Sequence, residues 1–134
     1  MMSLALRAGL AAALLLAPLA AQACLPPPAL LFRNAAYAVA ATPDPAPIEI
    51  GRHFSLDLIV CAQSGSPSGR ILAIDAQMPT HRHGMNYAPR LVAQADGRAR
   101  AEGLMLHMPG LWRLSVEIDI AGKRERLEID TTLE

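Results

Sequence analysis

The stretch that decides the fold is GLWRLSVEIDIAGKRERLEIDTTLE, residues 110–134. Trp112, Leu114, Val116, Ile118 and Ile120 alternate with Arg113, Ser115, Glu117 and Asp119. A period of two puts the apolar set on one face of a strand and the polar set on the other. Gly122 turns the chain, and Leu127, Ile129, Thr131 and Leu133 then close the sheet opposite Arg126, Glu128 and Asp130. Trp112 is the only tryptophan and starts the most regular apolar face, so it is predicted to be buried between two sheets.

The same grammar runs upstream. Phe54, Leu56, Leu58 and Val60 alternate with Ser55 and Asp57, and Leu72, Ile74 and Ala76 alternate with Ala73, Asp75 and Gln77. Residues 90–95 and 98–106 read as two further strands around the tight-turn dipeptide Asp96-Gly97. Ser64 to Gly69 is a turn by composition, and Pro109-Gly110 is another. Before residue 48 the prolines Pro26, Pro27, Pro28, Pro43, Pro45 and Pro47 exclude helix, leaving Tyr37–Ala40 as one short edge strand. About seven short strands with regular turn signals predict an all-β, immunoglobulin-like β-sandwich, with a closed barrel as the alternative.

The chain of 134 residues is long enough for one domain and short for two. Its 12 Lys+Arg balance 12 Asp+Glu, which argues against a nucleic-acid binder built on a basic stripe. Residues 1–23 carry a basic Arg7, an apolar run from Ala8 to Ala17, a helix-breaking Pro18 and the small-x-small tripeptide Ala21-Gln22-Ala23. That pattern predicts an export signal, and so a periplasmic protein. No later apolar run approaches the ~20 residues of a membrane helix, so none is expected in the mature chain. The mature domain then comprises a Pro-rich segment at 24–47 with its edge strand and a β-sandwich at 48–134.

Cys24 follows the proposed cleavage site directly. A lipoprotein has Cys there too, where acylation holds it to a membrane, but such signals prefer Leu at the position of Ala21. Cys61 offers a partner, and an oxidising compartment lets such pairs persist. A Cys24–Cys61 disulfide is the expected outcome and a lipid anchor at Cys24 the alternative.

One region departs from this pattern: Met78-Pro-Thr-His81-Arg-His83-Gly-Met85-Asn-Tyr87, followed later by His107-Met108-Pro-Gly110. All four methionines beyond the signal (Met78, Met85, Met105 and Met108) lie between residues 78 and 108, with three of the four histidines. Thioether and imidazole together suit copper. His81 and His83 in extended backbone would face the same way, ~7 Å apart at Cα. His81, His83, Met85, His107 and Met108 are therefore the candidate ligands. Zinc ranks below copper, because zinc sites need no methionines and no carboxylate lies within the motif. Met105, alternating with Ala99, Ala101 and Gly103, is expected in the core, as is Met78; His53 is expected at the surface. A metal-free alternative is a periplasmic interaction module in which residues 78–87 are a docking loop with Met85 and Tyr87 as its apolar contacts.

No enzyme is expected. There is no G-x-S-x-G elbow and no Gly-rich phosphate loop before a helix, and His83 has no obvious orienting acid other than Asp75.

Three runs carry a resemblance: Asp75–Tyr87 (DAQMPTHRHGMNY), Ala101–Leu114 (AEGLMLHMPGLWRL) and Gly51–Cys61 (GRHFSLDLIVC). They resemble the YtkA-like domain family of exported bacterial proteins, itself similar to FixH-like and CopC-like small β-sandwiches. The resemblance implies an immunoglobulin-like fold, a periplasmic or surface location, and a link to copper delivery or cytochrome oxidase assembly with a copper-dependent partner. In place of the H-x-M spacing of periplasmic PCuAC copper chaperones, this chain has adjacent His107-Met108.

Overall fold

The structure, a computed structural model, describes Cys24, residues 30–62 and residues 68–134. The export signal at 1–23, the run Pro26–Pro28 and most of the turn expected at 64–69 lie outside the described residues. The described residues form nine strands: β1 (Leu30–Arg33), β2 (Tyr37–Asp44), β3 (His53–Ala62), β4 (Arg70–Met78), β5 (His83–Gly84), β6 (Arg90–Ala93), β7 (Arg98–Met105), β8 (Gly110–Ile120) and β9 (Lys123–Leu133). They form two antiparallel sheets, ordered β1-β2-β3-β7-β6 and β5-β4-β8-β9. The protein is an all-β two-sheet sandwich, as its alternating sequence requires. The two strands beyond the expected seven are β1 and β5, which are short and lack an alternating signature.

Phe54, Leu56, Leu58, Val60, Ala99, Ala101, Trp112, Leu114, Val116, Ile118 and Leu127 all fall in one buried core between the sheets. The alternating faces of β3 and β8 lie where the period of two places them. Two-residue turns close the hairpins: Asp96 (φ 58°) with Gly97 (φ 71°), and Ala121 (φ 52°) with Gly122 (φ 84°). Paired positive φ angles match the twist of the flanking strands.

Three expectations need correction, each for a backbone reason. Residues 37–40 are no edge strand. They belong to an eight-residue strand paired with β1 on one side and β3 on the other. Pro43 lies near the end of this strand, paired with Leu56 of β3. In β4 a bulge at Leu72 shifts the register against β8, so the inward row is Ile71, Ile74, Ala76 and Met78, with Leu72 only half-buried.

The third correction concerns Met105. Between the pairs Leu56–Ala101 and Phe54–Leu104, β7 has two residues where β3 has one, and Gly103 has φ 81°. This bulge inverts the parity of the strand beyond it. Leu104 and Leu106 point inward and are fully buried, while Met105 is half-buried and pairs directly with exposed His53. Met105 is not a core residue; Met78, as expected, is.

Cys24 and Cys61 form a disulfide across 37 residues of sequence. With Ala40, Ile59 and Leu31 they make a small second cluster. Ring closure of this length contributes roughly 3–4 kcal/mol on the chain-entropy account. Direct cross-strand ion pairs lie outside the core: Arg100 Nη1 meets Asp57 at 2.8 Å, and Arg113 Nε meets Asp130 at 2.7 Å. Among the described residues no helix is long and apolar enough to cross a membrane.

Candidate metal centre

One end of the sandwich collects the residues that the sequence singled out. Met78 ends β4, and the loop Pro79–Arg82 returns the chain so that His83 pairs directly with Met78. Arg82 takes a left-handed φ of 55°, and the amides of His81 and Arg82 both donate to the Met78 carbonyl at 3.1 and 2.9 Å. His81 therefore sits in a tight loop, not in the extended backbone that its i, i+2 spacing with His83 suggested. Gly84 serves close packing, since a Cβ there would stand 3.1 Å from the Ala76 carbonyl oxygen.

Directly opposite residues of a ladder project to the same side of the sheet. His83 thus shares the inward side with fully buried Met78. One step beyond the Gln77–Arg113 pair, Met78 reaches the level of Trp112, also fully buried. From the other sheet, β7 delivers His107 and Met108 into the turn before β8. The indole Nε1–H of Trp112 donates to the Met108 carbonyl at 2.9 Å, pinning that turn.

The rings meet as a result. His83 and His107 stack with centroids 5.3 Å apart and planes 29° from parallel. Both lie edge-to-face with Trp112, His107 at 5.5 Å and His83 at 6.2 Å. His81 lies 5.8 Å from His83 and makes no ring contact with His107 among the described residues. The three imidazoles run in series, from exposed His81 through half-buried His83 to half-buried His107. No three His, Cys, Asp or Glu side chains among the described residues are grouped so as to hold a metal ion. The trio expected to meet at one point is instead a stacked pair with a third ring outside it.

The donors of that pair are distinctive. His83 Nδ1 lies 3.2 Å from the Gly84 carbonyl oxygen; as the donor there, it leaves Nε2 with a free lone pair. His107 Nδ1 is buried with no hydrogen-bond partner. A buried N–H without an acceptor is costly, so this nitrogen is better placed as an acceptor whose lone pair is unused. No ion pair joins a carboxylate to any of the four histidines among the described residues. Met85 and Met108 are half-buried and pack against the core. Two imidazoles, with Met85 two residues beyond His83 and Met108 next to His107 in the chain, are donor types that suit a soft metal ion.

Two features escaped the sequence reading. Trp112, taken there as core only, also walls the site and anchors its turn. His53, Tyr87 and Met105 form an outer patch: His53 pairs with Met105 across the strands, and its ring lies 4.9 Å from Tyr87. The parity inversion at Gly103 creates that patch, and no side-chain period shows it.

Comparison with protein-family models, with curated proteins and with solved structures finds no match to this chain.

Proposed function

We propose that this protein is an exported β-sandwich that binds copper between His83 and His107, with Met85 and Met108 as soft completing donors, and serves as a metal carrier or oxidase-assembly accessory. The observation that carries this reading is the buried, unpartnered Nδ1 of His107 in a ring stacked on His83. Few native structures leave such an atom without a role. The Met85 and Met108 thioethers favour copper over zinc. Export to the periplasm rests on the pattern of residues 1–23 and on the Cys24–Cys61 bond, which an oxidising compartment sustains. The YtkA-like resemblance of the Met78–Tyr87 and His107–Gly110 runs points the same way. Metal analysis of the exported protein, beside a His83→Ala/His107→Ala variant, tests the reading: bound copper in the parent and none in the variant.

A second reading has its own observation. Tyr87, 46% exposed, is the only large hydrophobic exposed among the described residues, and with Met85 it lines a groove of about 470 Å³ along the Leu72–Asp75 edge of β4. On that reading residues 78–87 dock a partner without metal. Tyr87→Ala would then abolish function, while the double histidine variant would leave it intact.

A further inference from the structure

Resting on the copper reading, we infer that the three imidazoles form a two-station path for Cu(I): His83 and His107 hold the ion, and His81 is the exchange ligand through which it enters and leaves. His107 lies against the fully buried Trp112 indole and carries the buried nitrogen; His83 stacks on its face; His81 is exposed, and its one ring contact among the described residues is with His83. A metal ion changes hands by ligand exchange, in which the incoming donor must reach the ion before the outgoing one releases it. A competing ligand cannot approach through Trp112 or Met78, which close the inner side. His81 is the one ring of the series that presents itself to such a ligand and still lies beside the inner pair.

The donor set selects the oxidation state. Cu(II) favours tetragonal nitrogen and oxygen donors, whereas Cu(I) accepts thioether. The inner station offers two imidazoles and, among the described residues, no carboxylate ion-paired to either, with Met85 and Met108 close by in the chain, which suits the monovalent ion. The loop geometry separates the roles. Arg82 in its left-handed conformation turns His81 out of the ladder, while His83 stays within it opposite Met78. His81 is exposed, whereas His83 and His107 are half-buried against each other and Trp112.

Trp112 supplies the readout, since it is the only tryptophan and abuts both inner rings. The folded protein is titrated with Cu(I) under reductant, with redox-inert Ag(I) and with Cu(II), following indole emission. Loss of ion to a bathocuproine chelator is then timed by stopped flow. Cu(I) and Ag(I) are expected to quench Trp112 at one ion per chain and to bind at least about 100-fold more tightly than Cu(II). His81→Ala should keep Cu(I) affinity within about threefold of the parent and slow transfer to the chelator about tenfold or more. His107→Ala should lose about 100-fold in affinity; His107→Asn, with unchanged metal-free emission, separates ligand loss from misfolding. If His81→Ala loses as much affinity as His107→Ala, or changes neither affinity nor rate, the two-station path is wrong while copper binding stands. If Cu(II) binds as tightly as Cu(I), the assignment of the ion is wrong. If neither Cu(I) nor Ag(I) binds, this inference falls together with the copper reading.

Discussion

The indole Nε1–H of Trp112 donates to the carbonyl of Met108 at 2.9 Å, and through that bond a buried core residue holds the turn carrying His107. Core and site are one construction at this end of the sandwich. Replacing Trp112 with Ala should cost on the order of 3–5 kcal/mol, as for large aromatic deletions. Trp112→Phe keeps most of the apolar volume and removes the donor, at about 1 kcal/mol. Its further effect falls on the turn: copper affinity should drop while the fold persists, as read by titration with circular dichroism alongside.

Met105 and Met78 should respond oppositely to truncation. Met78 is fully buried, so Met78→Ala should destabilise by about 2–5 kcal/mol. Met105 is half-buried beside exposed His53, so Met105→Gln should stay within about 1 kcal/mol of the parent. Urea midpoints at unchanged slope measure both. A Met105→Gln loss as large as that of Met78→Ala would contradict the outward placement.

How far the fold and site were legible in the sequence follows from these residues. The faces of β3 and β8 could be read directly because burial on one side of a pleated strand forces a period of two. Met105 could not, because a single left-handed Gly103 inverts the parity beyond it; Leu72 failed for the same reason at the β4 bulge. Among the candidate ligands, the clustering of His and Met residues in the chain carries over into space for His81, His83 and His107, whose rings follow one another at one end of the sandwich. The division between His81 and the His83–His107 pair depends on one turn at Arg82 and on a hydrogen bond to Met108, neither of which composition encodes.

The disulfide should act on stability and not on the metal. Cys61 and His53 stand at opposite ends of β3, about 26 Å apart along the strand. Cys61→Ser should cost roughly 3–4 kcal/mol through the lost cross-link. Copper affinity, measured where the variant is still folded, should remain that of the parent. Thiol labelling that succeeds only after reduction checks the bond itself, and lipid on Cys24 would contradict it.

Acid should destabilise the fold through its surface carboxylates. Asp130 beside Arg113, Asp119 accepting from the Gly122 amide and from Arg70, and Glu125 accepting from Lys123 and Asn34 are all held below their ordinary values of 3.8 and 4.5. A carboxylate with a depressed folded-state pKa stabilises above its unfolded value, and that contribution is lost as pH falls through the folded one. Stability should therefore be level above about pH 5 and decline progressively below it. Asp130→Asn should flatten that decline and high salt should shrink it, since these groups are exposed. Thermal midpoints between pH 2 and pH 7 record the effect; a midpoint that rises on acidification would contradict it.

The central claim is that His83 and His107 together hold a copper ion, and the direct measurement is a Cu(I) competition titration of the parent against His83→Ala/His107→Ala. The account predicts one tightly bound ion per chain in the parent and a loss of at least about 100-fold, ~2.7 kcal/mol, in the folded double variant. Equal affinity in the two proteins, or no binding in either, would contradict it.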